Sequence, residues 1–149
     1  MPMIRLSPDF KEFLQLLNSY DVQYLLIGGY AVGYHGYPRA TGDLDIWVAI
    51  NSLNATKLVT VLEEFGFDLP DVTAELFQEE NKVIRMGLPP VRIELVTTIS
   101  GVTFDECYAE RIQDVVEGVS INLISLQKLK KNKQASGRYK DLNDLENLP

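Results

Sequence analysis

The chain's first clear pattern is an apolar stripe at helical spacing, formed by Phe10, Phe13, Leu14 and Leu17. Ser7 and Pro8 precede it as a helix start, with the serine as cap and the proline at the first helical position. Gln23 to Ile27 then predicts a strand that stops at Gly28-Gly29, and Tyr30 to His35 predicts a short helix closed by Gly36 and Tyr37-Pro38. Leu44 to Ile50 predicts a second strand. Asn51 or Ser52 caps a helix running through Leu58, Leu62 and Phe65 and ended by Gly66.

Downstream, the stretch from Asp68 to Glu80 has the weakest pattern. Lys82 to Met86 and Val91 to Val96 predict two strands joined by a Gly87-Leu88-Pro89-Pro90 turn. Thr103 caps a short helix over Phe104 to Glu110, and Val119 to Ile124 adds a strand. Ser125 opens a helix through Leu126, Leu129 and Lys133 that breaks at Gly137, and Asp141 is expected to cap a last one ending near Leu148. Helix, strand, helix, strand, helix, strands, helices is an α/β (α+β) order: a single mixed β-sheet flanked by helices. With 149 residues and no repeat, low-complexity tract or linker, a single domain is expected.

Composition narrows the chemistry. An apolar content of 46% supports a core and argues against disorder. Cys107 and His35 each stand alone in the sequence. That excludes a disulfide framework, a zinc knuckle and histidine-based metal clusters, and it disfavours Ser-His or Cys-His nucleophile pairs. A metal here would be held by oxygen ligands, which favours Mg²⁺, Mn²⁺ or Ca²⁺. Met1-Pro2-Met3-Ile4-Arg5 lacks a signal peptide's apolar run, and the apolar stretch Tyr24 to Tyr34 is too short to cross a bilayer. The expectation is therefore a cytoplasmic protein without membrane partners.

Net charge is −7, unevenly spread. Six of the 14 basic residues lie between Lys128 and Lys140 with no acidic residue among them, leaving 8 basic against 21 acidic elsewhere. An acidic body with one cationic segment suits local binding of a polyphosphate rather than unselective binding of nucleic acid.

Several residues then become candidates for chemistry. On a strand, Asp43 and Asp45 project to one face while Leu44, Ile46 and Val48 face the core. Two carboxylates so placed can share a pair of Mg²⁺ ions about 3.5–4 Å apart, although an isolated Asp-x-Asp is more often a solvated strand face. Trp47 shares their face, as a lid, a partner for a base or, preferably, a packing residue. Gly28-Gly29, between strand and helix, would let backbone N–H groups approach a phosphate, or would simply be a tight turn. Arg39 suits a triphosphate or an ordinary surface role, and Thr41 suits a phosphate or, preferably, bracing of the loop. Glu94 and Arg92 share a strand face, with Glu94 either a third carboxylate that receives the proton of an attacking hydroxyl or half of an exposed Arg–Glu pair. Lys133 and Arg138 flank the Gly137 break and can converge on one anion, whereas Lys128, Lys130 and Lys131 are assigned to solvated helix surface.

Taken in order, Leu26-Ile27-Gly28-Gly29-Tyr30-Ala31 and Arg39-Ala40-Thr41-Gly42-Asp43-Leu44-Asp45-Ile46-Trp47-Val48 resemble the signature of the polymerase-beta-like nucleotidyltransferase superfamily. Thirteen residues separate Gly29 from Asp43, within that family's spacing. The segment Lys133 to Asp144 is similar to the motif of the branch containing the abortive-infection nucleotidyltransferase toxins. The resemblance implies a minimal nucleotidyltransferase fold in which Asp43, Asp45 and Glu94 hold two Mg²⁺ ions, Mn²⁺ being an alternative. It also implies that Gly28, Gly29, Arg39, Thr41, Lys133 and Arg138 bind a nucleoside triphosphate.

The implied reaction moves a nucleotide onto a hydroxyl of an RNA end, a protein or a small molecule, with release of pyrophosphate. Many members carry Gly-Ser where this chain has Gly28-Gly29, and the third acid is usually aspartate rather than Glu94. Those departures leave a second expectation, a catalytically impaired nucleotide-binding regulator. The tyrosines Tyr24, Tyr30, Tyr34 and Tyr37, which core and loop packing explain equally well, leave a third, a toxin–antitoxin-type partner protein with an antitoxin or a second copy as its partner.

Overall fold

The computed structural model describes residues 5–39, 41–67, 70–88 and 91–149. Residues 1–4, Ala40, Asp68, Leu69 and Pro89-Pro90 of the expected turn lie outside the described residues.

Local signals start and stop most elements. In α1 (Pro8–Ser19) the Ser7 hydroxyl accepts from the Phe10 N–H, and Phe10, Phe13, Leu14 and Leu17 are all buried. β1 (Tyr24–Ile27) passes directly into α2 (Gly28–Tyr34). This helix starts two residues earlier than its apolar pattern predicts, so the glycine pair forms its first turn rather than a loop before it. After β2 (Asp43–Val48), Asn51 caps α3 (Ser52–Phe65) and Gly66 ends it in the left-handed conformation at φ 93°.

Between α3 and β3 (Val83–Met86), a single 3₁₀ turn at Leu76–Gln78 buries Phe77. β4 (Arg92–Val96) precedes α4 (Phe104–Ala109), which Thr103 and Glu106 cap reciprocally. β5 (Ile112–Val116) and β6 (Val119–Leu123) form a hairpin, followed by α5 (Leu126–Ser136) and α6 (Tyr139–Asn147).

β5 escaped the sequence reading. Its two-residue turn, Glu117-Gly118, has both φ values positive at 51° and 82°, the primed geometry that matches strand twist. The Glu-Gly pair between two alternating segments was the available signal. Glu117 holds the left-handed position because its carboxylate accepts from the Leu6 N–H and pairs with Lys11 at 3.2 Å.

The six strands form one mixed sheet in the order β3-β4-β2-β1-β6-β5. β2 runs antiparallel to β1 and parallel to β4, with Leu44 opposite Ile93 and Ile46 opposite Leu95. These four side chains are at most 2% exposed and form the core on one face of the sheet. α1 and α3 lie on that face, joined by an edge-on contact of Phe13 with Phe65 at 5.1 Å. The opposite face carries Asp43, Asp45 and Trp47 from β2 and Arg92 and Glu94 from β4. Trp47 is 2% exposed, donates to the Thr97 carbonyl and packs edge-on against Phe104 of α4. It is a packing residue.

A buried asparagine links the layers. Asn54, at the start of α3, accepts from the Gln23 N–H at 2.8 Å and donates to the carbonyls of Gln23 and Ala49. It holds the entry to β1 and the exit from β2 on one helix turn. Removing it takes the side-chain partner from the Gln23 N–H and the buried Ala49 carbonyl, each worth about 1 kcal/mol or more, while the Gln23 carbonyl keeps the Ala49 N–H. Asn54→Ala should lower unfolding free energy by about 2–3 kcal/mol in urea titrations, against about 1 kcal/mol for the cap variant Asn51→Ala.

Candidate active site

Strand register assembles the site. Asp45 stands directly opposite Glu94 across the β2–β4 pair, and Asp43 stands opposite Arg92. One carboxylate oxygen from each of Asp43, Asp45 and Glu94 lies within 4.8 Å of the others. Like charges facing each other on neighbouring strands are unfavourable unless a cation intervenes. An all-oxygen cluster of three carboxylates suits a hard divalent ion, and the donor set fits Mg²⁺ or Mn²⁺.

Gly28 closes this cluster on the β1 side. Its φ is +67°, and a side chain there would place Cβ 2.1 Å from Oδ2 of Asp45. The glycine therefore has two structural causes, a left-handed backbone and room for the carboxylate. Gly29 has a similar cause of its own, since a Cβ would meet Oγ1 of Thr41 at 2.6 Å. Thr41 also hydrogen-bonds the Asp43 carbonyl at 3.3 Å, which braces the start of β2.

The remaining predicted residues divide between two places. Gly28, Asp43, Asp45, Glu94, Lys133 and Arg138 line one cleft of about 550 Å³. Gly29, Arg39 and Thr41 line a separate, smaller cavity of about 180 Å³. Arg39 makes a forked contact to Asp144 at 2.8 and 2.9 Å. A further concavity of about 510 Å³, bounded by Asn18, Arg111 and Asn122, lies along the β5–β6 edge. The only three-carboxylate cluster among the described residues is the one in the first cleft.

Lys133 and Arg138 do converge on one anion, and it is the chain's own. Lys133 Nζ lies 3.0 Å from Asp141 and 3.1 Å from Asp144, and Arg138 reaches Asp141 at 2.7 Å. Asp141 is thus not the cap of α6. Arg138 occupies the cap position, and Asp141 is 1% exposed in the first turn. A buried ammonium needs carboxylate partners, and this outweighs the aspartate's preference for a helix end. Burial by itself would raise the Asp141 carboxyl, but hydrogen bonds from Arg138 and Lys133 overcome it and hold the group well below the usual range. Lys128 departs from a simple solvated role as well, bridging Glu106 and Glu110 of the α4 region.

Three basic residues of the cleft region were not singled out as functional from sequence. Arg92 forks onto Asp43 at 3.0 and 2.8 Å, Arg85 approaches Glu94 at 3.5 Å, and Lys140 lines the cleft. Arg92 pairs with Asp43 across strands rather than with its same-strand neighbour Glu94. Only register reveals such pairs. Among the described residues no arginine forks onto Asp45, and its carboxyl is pushed up to about 6, chiefly by burial and then by Glu94 and Asp43.

No family model matches the sequence, and no curated protein matches it. Solved structures do resemble the fold. A nucleotidyltransferase-like antigenic protein from Paracoccidioides brasiliensis superposes with a TM-score of 0.54 at 21% identity, over 95% of this chain and 76% of that one. A candidate nucleotidyltransferase from Thermotoga maritima gives 0.59 at 13% identity, over 91% and 86%. At these identities the likeness establishes the fold: the chain has the mixed-sheet nucleotidyltransferase architecture, with a three-carboxylate cluster on one face of its sheet. No described helix is long and apolar enough to cross a membrane.

Two tests follow from this geometry. Gly28→Ala should destabilise by at least about 1–2 kcal/mol, whereas Gly33→Ala, where a Cβ meets nothing within 4 Å, should be neutral or stabilising by up to about 1 kcal/mol. The second concerns pH. Asp45 has a folded-state value of about 6 against 3.8 for the free group, so its protonated form favours folding. That contribution is complete below about pH 4 and is lost as pH rises through about 6. In chelator, the wild-type melting temperature should fall across that window, and Asp45→Asn should flatten the fall and melt higher at pH 7.

Proposed function

We propose that the chain is a nucleotidyltransferase, organised as a single domain, that transfers a nucleoside monophosphate from a nucleoside triphosphate to a hydroxyl acceptor. The observation carrying this reading is the meeting of Asp43, Asp45 and Glu94 beside the Gly28 turn, on a sheet with nucleotidyltransferase architecture.

In this reading Asp43, Asp45 and Glu94 hold two Mg²⁺ ions, which when bound would neutralise triphosphate charge and polarise the reacting phosphate. The chain's own groups do the rest. Gly28 presents its first-turn backbone N–H of α2, which has no intrahelical partner, to the phosphates, while Gly29 acts from behind by leaving room for Thr41. Arg138, with its side chain 70% exposed, reaches into the cleft from the helical side with Lys140. Lys133, fixed between Asp141 and Asp144, supplies a stationary positive charge. Arg39 and Thr41 act from behind, through Asp144 and the Asp43 backbone.

The acceptor oxygen attacks the α-phosphorus, and its proton passes to Glu94. The bond from that phosphorus to the bridging oxygen breaks, and pyrophosphate leaves carrying that oxygen. Positioning and charge stabilisation supply the rate, with no covalent enzyme intermediate. The acceptor is an RNA end, a protein hydroxyl or a small molecule.

A second reading, a nucleotide-binding regulator without turnover, draws on the Arg92 fork that engages both oxygens of Asp43. The two separate cleanly. Incubation with labelled triphosphates, Mg²⁺ and total cellular RNA or protein should transfer label, and Asp43→Asn or Asp45→Asn should reduce transfer by at least about a hundredfold. Glu94→Asp should alter the rate while leaving triphosphate affinity within about twofold, because it moves the proton acceptor by one methylene. Calorimetric triphosphate binding that survives Asp43→Ala with Asp45→Ala, with no label transferred by wild type, would instead establish the regulator.

A further inference from the structure

Three carboxylates this close need counter-charge whether or not a metal is bound. Strand pairing supplies it at two of the three. Arg92 stands directly opposite Asp43 across β2 and β4, and Arg85 stands directly opposite Glu94 across β3 and β4. The two contacts differ in quality. Arg85 is 58% exposed and 3.5 Å from Glu94, within the range of weak surface pairs. Arg92 is 31% exposed on its side chain, and its Nε and Nη2 each donate to a different oxygen of Asp43. A planar fork of this kind is the strong form of the contact. Asp45, between these pairs, has Glu94 and Asp43 as near neighbours of like charge, with Lys140 and Lys133 as more distant counter-charges.

Arg92 also sits in a telling place. It does not line the cleft, whereas Asp43 does. Its guanidinium engages both oxygens of Asp43, so any oxygen that this carboxylate would offer a divalent ion is already hydrogen-bonded to Arg92. A cation entering the cleft must therefore overcome both the positive charge of Arg92 and its hydrogen bonds to the ligand.

We propose that Arg92 is a built-in counter-ion for Asp43, which keeps the acidic cluster assembled without metal and lowers its affinity for free divalent ions. The inference rests on the reading of Asp43, Asp45 and Glu94 as a cation site. Its consequence is that free metal loads weakly, and that loading is favoured when the ion arrives already bound to a triphosphate, whose negative charge offsets the guanidinium. Arg92 is a positioning residue: it acts on the metal through Asp43 and touches no reacting atom.

The test is Mn²⁺ affinity without nucleotide, read by electron paramagnetic resonance, for wild type, Arg92→Gln and Arg92→Lys. Losing a competing partner of this exposure should tighten Mn²⁺ binding on the order of fivefold or more in R92Q. R92K, which keeps the charge but loses the fork, should fall between R92Q and wild type. Metal-free R92Q should melt below wild type at pH 7, and saturating Mn²⁺ should raise its melting temperature by more. If R92Q binds Mn²⁺ equally or more weakly while wild type binds it, the counter-ion role is overturned and the metal site stands. If neither protein binds Mn²⁺ at millimolar concentration, the metal site and the counter-ion fall together. The melting curves show whether each variant is folded, and R92K carries the test should R92Q not fold.

Discussion

The site depends on the register that sets Asp45 opposite Glu94 and Asp43 opposite Arg92 across two parallel strands. A one-residue slip of β2 would turn Asp43 and Asp45 into the core and take Leu44 and Ile46 out of it. Leu44, Ile46, Ile93 and Leu95, at most 2% exposed, are what hold the carboxylates in place. The same packing that forms the core thus maintains an electrostatically unfavourable arrangement on the other face. Gly28 yields its side chain to Asp45, and Arg92 and Arg85 supply positive charge at the adjoining positions.

The last two helices reach this cluster by a different kind of force. The helical wall of the cleft is joined to the segment before β2 by a buried ionic chain, from Arg39 through Asp144 and Lys133 to Asp141 and Arg138. Asp141, Asp144 and Lys133 are at most 4% exposed. Burying these three formal charges contributes little net stability compared with an apolar equivalent. What it gives instead is direction: forked contacts of arginine and a centred ammonium allow few relative placements of α5, α6 and the strand-leading segment. Cationic side chains are thereby held across the cleft from the carboxylate floor, an arrangement that the proposed triphosphate binding would use.

Much of the fold was legible. Phe10, Phe13, Leu14 and Leu17, the Ser7, Asn51, Thr103 and Ser125 caps, and the Gly66 and Gly137 stops all work through contacts within a few residues, which is why a linear pattern reveals them. Trp47 as a packing residue was also legible, because an aromatic on a buried strand has few other uses. The miss at β5 and the late start assigned to α2 share a cause. In both, a glycine-containing turn reads locally as a break, while the strand pairing or helix continuation that uses it is decided elsewhere. Asp141 was misassigned as a cap for a related reason. A first-turn aspartate looks like a capping residue until a buried lysine eight positions away claims it.

Sequence by itself determined the order of the elements other than β5, the face of β2 that carries acid, and the limitation of any metal ligands to oxygen. These follow from period, composition and nearest-neighbour chemistry. Tertiary structure alone decided which arginine meets which carboxylate, that Lys133 and Arg138 are held by Asp141, and that Gly29, Arg39 and Thr41 open onto a different cavity from Gly28. The physical reason is range. Alternation and capping are short-range consequences of the backbone, whereas charge pairing depends on distances between strands and helices that only the folded core sets.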